Sequence, residues 1–383
     1  SGGQYAIYVN SGSTLAGGIT NSGSISGSAT GVYLRHSTLS GGIDNSGTIS
    51  GGTYGIVVSQ SSLTEGINNS GSISRKTGIY LRSGSTLSGG ITNAGLIQGT
   101  SVAGIYLDAS ALDSGIDNSG TISGGQYAIY VNSGSTLAGG ITNSGSISGS
   151  AVGVYLLNST LSGGIDNSGS ISGVTYGIYA RNSTLTDGID NSGTISGKTG
   201  IYLKSGSTLS GGITNAGLIQ GTSVAGIYLD ASALDSGIDN SGTISGGQYA
   251  IYVNSGSTLA GGITNSGSIS GSATGVYLRH STLSGGIDNS GTISGGTYGI
   301  VVSQSSLTEG INNSGSISRK TGIYLRSGST LSGGITNAGL IQGTSVAGIY
   351  LDASALDSGI DNSGTISGGQ YAIYVNSGST LAG

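Results

Sequence analysis

Little in this chain of 383 residues is equipped for chemistry: it has 16 Asp and Glu, 11 Lys and Arg, two His and no Cys. The strongest pairing is Asp166 with Asp190, which hold the same place in two successive Ile-Asp-Asn-Ser-Gly segments. Two carboxylates so placed could act as acid and base on a glycosidic bond, or share a Ca2+ ion. Asp108, Asp113 and Asp117 form a second group, but they alternate with apolar positions and belong to different edges. His36 and His280 are matched by Asn158 in the related segment between them, so a His-dependent activity is not built into every repeat. Absence of Cys excludes a disulfide scaffold, thiol catalysis and Cys-ligated metal. No EF-hand loop and no Gly-Gly-x-Gly-x-Asp calcium repeat is present. The acids therefore read as solvated turn-side groups, and Arg82 with Asp108 as an exposed salt bridge worth under about 1 kcal/mol. The expectation is a non-enzyme with no catalytic, cofactor-binding or metal-binding residue.

The elements that would carry such residues are set by an unusual composition. There are 79 Gly and 21 Tyr, and no Pro, Met, Trp or Phe. A net charge of -5 gives no reason to expect nucleic acid, whose binders usually carry a basic face. No apolar run approaches the roughly 18 residues of a membrane span, and no basic-then-apolar signal segment is found.

The order lies in repetition. Ser-Gly-Gly-Gln-Tyr-Ala-Ile-Tyr-Val-Asn begins at residues 1, 123, 245 and 367, a period of 122. Residues 245–366 copy 1–122 without change, while 123–244 differ from that unit at 15 positions, among them Val57 against Tyr179. Each full unit divides into five pieces of 24 or 25 residues, and every complete piece carries G-I-x-N-x-G-x-I near its end. Within a piece the apolar residues fall two apart, as Val32 and Leu34 around Tyr33, with Gly and Ser between runs. That is the strand period punctuated by turns. The fold expected is all-β: a right-handed, three-sided parallel β-helix of about 24 residues per coil and about 16 coils, one continuous solenoid over 1–383.

Stacked in register, the pieces place like on like. Five columns are apolar and inward, represented by Val32, Leu34, Leu39, Ile43 and Ile49. A sixth inward column is polar and expected to form a structural ladder: Asn21, Asn45, Asn69, Asn93, Asn118, Asn143, Asn167, Asn191, Asn215, Asn240, Asn265, Asn289, Asn313, Asn337 and Asn362. Each amide is expected to donate to the oxygen of the next, since a buried unpaired amide costs about 1–3 kcal/mol. The Gly after each Asn, such as Gly47, is expected at positive φ. Tyrosines in the centre of G-I-Y-L form an outward stripe: Tyr8, Tyr33, Tyr80, Tyr106, Tyr130, Tyr155, Tyr179, Tyr202, Tyr228, Tyr252, Tyr277, Tyr324, Tyr350 and Tyr374. They read as a self-stacking β-former or as a lateral contact surface.

Enzymatic β-helices build a cleft from irregular loops, and piece lengths here vary by a single residue. An ice-binding face would want a double row of Thr, whereas Thr14, Thr38, Ser62, Thr86 and Ala111 make a single, broken one.

The recurring G-G-I-D-N-S-G-T-I-S-G with Y-G-I-Y resembles the passenger repeats of bacterial autotransporters and related giant surface adhesins. The resemblance implies a secreted right-handed β-helix displayed outside the cell. The ends of the chain fall inside a unit and read as open sheet edges of a longer array, or as edges that stack into a fibre. The function expected is a non-catalytic extracellular rod or filament, an adhesin stalk or fibre on a bacterial surface, rising about 4.8 Å per coil and roughly 75 Å in all. The alternative is a β-helix that binds or cleaves glycans. Self-association and a host or cell-surface glycan are the partners expected, with no nucleic acid, no membrane span and no cofactor.

Overall fold

A computed structural model of the chain describes residues 2–383, so that Ser1 of the first repeat lies outside the described residues. Among the described residues secondary structure is entirely strand and turn, in two compact units, Ser1–Asp187 and Gly188–Gly383. Each unit is a parallel β-solenoid, and the chain as a whole comprises about 16 coils of roughly 24 residues. One coil of the first unit serves for all. Strand I runs Tyr127–Asn132, strand II Thr136–Leu137, strand III Ile141–Asn143 and strand IV Ser146–Gly149. Each pairs in parallel with its counterpart in the next coil, Tyr130 beside Tyr155, Leu137 beside Leu161, Asn143 beside Asn167 and Ile147 beside Ile171.

The coil thus carries four sheets, I to IV, where three sides were expected. The physical reason is the Ser-Gly or Ala-Gly pair after each Asn. Its two N–H groups share one carbonyl of the coil before, as Ser46 and Gly47 share that of Asn21, and this departure from the regular ladder splits what reads as one side into strands III and IV. The interior is filled as period-two alternation requires. Ile129, Val131, Leu137, Ile141 and Ile147 are buried, as are their counterparts in neighbouring coils.

Two backbone features set the corners. Between strands I and II every coil from Ser11 to Ala353 places one non-glycine residue at positive φ; in the first unit these include His36 at 47°, Gln60 at 50° and Ala109 at 49°. L-residues enter that region at a cost of roughly 1–2 kcal/mol. Between strands II and III the corner is often made by glycine, as Gly42 at φ 73°. Gly47, expected to be such a residue, is not one. A Cβ there would instead strike the carbonyl oxygen of Gly23 in the coil before. Glycine is required at Gly47 by the close approach of two backbones, not by its dihedral angle.

Candidate functional site

The side chains with chemical capacity lie in columns, so geometry is best followed along them. On sheet III the column inside the solenoid is asparagine. Asn45 Nδ2 donates to Asn69 Oδ1 at 2.7 Å, Asn69 Nδ2 to Asn93 Oδ1 at 2.8 Å, and Asn93 Nδ2 to Asn118 Oδ1 at 2.8 Å. In the second unit Asn265, Asn289 and Asn313 repeat this at 2.7–2.8 Å. Each amide also reaches two backbone oxygens: Asn69 Nδ2 lies 3.2 Å from the Gly71 oxygen and 3.1 Å from that of Leu96. Its own backbone oxygen accepts from the N–H groups of Ala94 and Gly95. Hydrogen-bonding capacity is thereby spent within the column, as burial at 2% exposure or less demands for Asn45, Asn69 and Asn93.

A second buried polar column went unread in the sequence. Ser37, Ser61, Ser85 and Ser110 lie at the start of each Ser-x-Leu and are buried. Ser61 Oγ accepts from the Ser37 N–H at 3.1 Å and donates to the Ser59 oxygen at 2.8 Å. The signal was present, since a Ser precedes every Thr-Leu, Ser-Leu or Ala-Leu pair of strand II. In a chain so rich in Ser it does not stand out.

On the outside of sheet I the tyrosines stack. Ring centroids of Tyr80 and Tyr106 are 4.8 Å apart, those of Tyr106 and Tyr130 4.7 Å, and those of Tyr155 and Tyr179 4.8 Å at an interplanar angle of 8°. In the second unit Tyr202, Tyr228 and Tyr252 continue the pattern at 4.7–4.8 Å. The rings cover one another's faces, and Tyr33 and Tyr155 keep only 9% exposure against 40% for Tyr8. A flanking tyrosine adds cover in some coils, as Tyr127 lies 4.7 Å from Tyr130 and Tyr249 4.6 Å from Tyr252.

The row is interrupted where Val57 and Val301 replace tyrosine. There an arginine takes over. Arg82 Nη2 donates to the Tyr33 hydroxyl at 3.0 Å, across the valine coil, and its guanidinium lies 5.9 Å from the Tyr33 ring and 5.6 Å from the Tyr80 ring. Arg326 bridges Tyr277 and Tyr324 in the same way in the second unit. This corrects the expected ion pair. Arg82 and Asp108 are register neighbours, but Arg82 Nε turns to Ser59 Oγ while Asp108 accepts from the Tyr80 hydroxyl at 3.3 Å. No Arg82–Asp108 salt bridge forms among the described residues. Stacking on two rings is available to a planar guanidinium, and it fills the gap that a reach toward Asp108 would leave open.

Burial and the Asp108 carboxylate raise the Tyr80 hydroxyl well above its ordinary range. Burial likewise raises Tyr106, Tyr130 and Tyr155, and Tyr324, which donates to Asp352 at 3.1 Å, is pushed up to about 12.

The remaining candidates do not converge. Asp166 belongs to the first unit and Asp190 to the second. Asp44, in the same column, accepts from Asn68 Nδ2 at 2.8 Å. Asp108 ends a strand I, Asp113 lies in the turn after strand II, and Asp117 is the outward centre of a strand III. His36 and His280 occupy the positive-φ corner after strand I. Among the described residues no group of three or more His, Cys, Asp or Glu is placed to hold a metal ion, and no helix is long and apolar enough to cross a membrane. Two shallow hollows open beside the outer Asp and Asn row of sheet III, one of about 250 Å³ at Asp44 and Asn68, the other of about 320 Å³ at Asp288 and Asn312.

A family model described as the Histone H3 K4-specific methyltransferase SET7 N-terminal region matches residues 71–116, 189–238 and 315–379. These stretches together make less than half of the chain and fall on corresponding parts of the 122-residue repeat. No curated protein and no solved structure matches the chain.

Proposed function

We propose that the chain is a non-catalytic structural segment, a stretch of extracellular rod or filament serving as an adhesin stalk or fibre on a bacterial surface. The observation that carries this reading is the uniformity of the coil. Polar capacity inside is consumed by the Asn and Ser columns, and ring faces outside are consumed by one another. Pieces of 24 or 25 residues leave no loop to shape a cleft. Solenoids of this kind gain stability by adding neighbours, which suits a spacer whose length is its property. The resemblance to autotransporter passengers supports the extracellular setting.

The second reading, a glycan-binding or glycan-cleaving β-helix, draws on the two hollows of sheet III. It gains little from the tyrosines, because a sugar stacks on a free ring face and most of these faces are covered by the next ring, Tyr8 and Tyr371 excepted. Negative-stain imaging together with incubation against a panel of polysaccharides tests the proposal. Elongated particles that leave the polysaccharides intact are expected; compact particles that shorten a glycan would overturn it.

A further inference from the structure

The charges of the solenoid are sorted by face. Of the 11 Lys and Arg, six end a strand I: Arg35, Arg82, Arg181, Lys204, Arg279 and Arg326. The other five, Arg75, Lys76, Lys198, Arg319 and Lys320, lie where strand IV turns into strand I. Every cation therefore borders the tyrosine sheet. Acids do the reverse. Of the 16 Asp and Glu, only Asp108, Asp230 and Asp352 stand on sheet I. All others lie in the turn between strands II and III or at the outward centre of strand III; in the first unit these are Asp44, Glu65, Asp113, Asp117, Asp166 and Asp187. Those six are exposed, as are Arg35, Arg75, Lys76 and Arg181 on the other side. The second unit repeats the division, with Asp239, Asp288 and Glu309 exposed against Arg279, Arg319 and Lys320.

We propose that the cationic tyrosine face of one copy docks on the acidic II–III face of a second copy, side by side. The partner is another copy because the same molecule supplies both signs, each repeated on the one 122-residue period. In the second unit the exposed Lys198 and Lys320 recur at that spacing, and so do the exposed Asp239 and Asp361. A match made at one period is made again at the next, so weak exposed pairs act together. The two faces differ, which makes the contact heterologous. Such a contact leaves each copy with one unused face of either sign, so copies add until the rotation between them closes a ring. Opposed faces also set the orientation of approach and speed it. The inference rests on the rod reading and gives it a mode of bundling.

Two variants of the full chain test it. One carries Asp44→Lys, Asp117→Lys, Asp239→Lys and Asp288→Lys, and the other Arg35→Glu, Lys76→Glu, Arg181→Glu and Arg279→Glu. Sedimentation velocity at 50 mM NaCl should show association of the native chain, single copies for each variant alone, and association restored on mixing the two. Raising NaCl to 500 mM should weaken the native association at least about tenfold, since the Debye length then falls to a few Å. Association indifferent to salt, a native chain single at every salt, or variants that associate alone would each overturn the proposal. So would a native chain that stays single yet captures heparin. If a variant fails to fold by circular dichroism, the salt series on the native chain decides. Images of the same samples separate the two readings: elongated but unpaired particles end the docking proposal and leave the rod, whereas compact particles end the rod itself.

Discussion

Asn69 and Tyr80 each stand in a row of like residues running from coil to coil, the first inside the solenoid and the second on its surface. Both rows advance one residue per coil, with amides joined at 2.7–2.8 Å and ring centroids stacked at 4.7–5.3 Å. Yet the Asn row has no exception in any complete coil, while the Tyr row is broken at Val57 and Val301. The difference follows from what a gap would leave behind. A missing amide strands a buried donor and acceptor that no water reaches. A missing ring leaves a surface hollow that a long side chain covers, as Arg82 does. Ladders of the first kind specify the fold, and ladders of the second kind are open to variation.

The largest effect expected from disturbing this pair of rows is at Asn69. Asn69→Leu removes the acceptor of Asn45 and the donor to Asn93, and should cost about 3 kcal/mol with local loss of hydrogen-exchange protection. An unchanged melting profile would count against the ladder. Next is Gly71→Ala, beside the same row, where a Cβ would meet the Gly47 carbonyl; about 2 kcal/mol is expected by chemical denaturation. Tyr106→Leu, in the outer row, should cost only about 1 kcal/mol, the worth of its ring contacts. If it cost as much as Asn69→Leu, the distinction between the rows would fall.

The outer row should also declare itself in alkali. Burial raises Tyr80, Tyr106 and Tyr130 above their ordinary value near 10, and Tyr324 to about 12. Above pH 10 the unfolded chain loses these protons first, so the folded state binds more of them. The stability contribution is complete below pH 10 and falls as pH climbs toward 12. Melting followed from pH 9 to 12, with phenolate absorbance at 295 nm, should show ionisation arriving with unfolding. Smallest is a gain: Gln60→Gly relieves a corner held at φ 50° and should add about 0.5 kcal/mol.

Much of this was legible because repetition turns single residues into columns. The all-β solenoid, its coil length and the positions of Asn69 and Tyr80 all follow from alternation and period. What escaped was whatever depends on how neighbouring coils touch. Gly47 looks the same in sequence whether it serves a dihedral angle or a close approach, and only the Gly23 carbonyl beside it decides. Arg82 and Asp108 are adjacent in register, and no pattern tells that the guanidinium turns to the Tyr33 hydroxyl instead. The strand break at Ser46-Gly47 that makes four sheets is hidden in a Ser-Gly pair resembling many others.

X-ray diffraction from oriented full-length protein bears most directly on the structural role. A reflection near 4.8 Å lying along the long axis of the particles is the result expected of coils stacked into a rod. Its absence, or its appearance across that axis, would contradict the account.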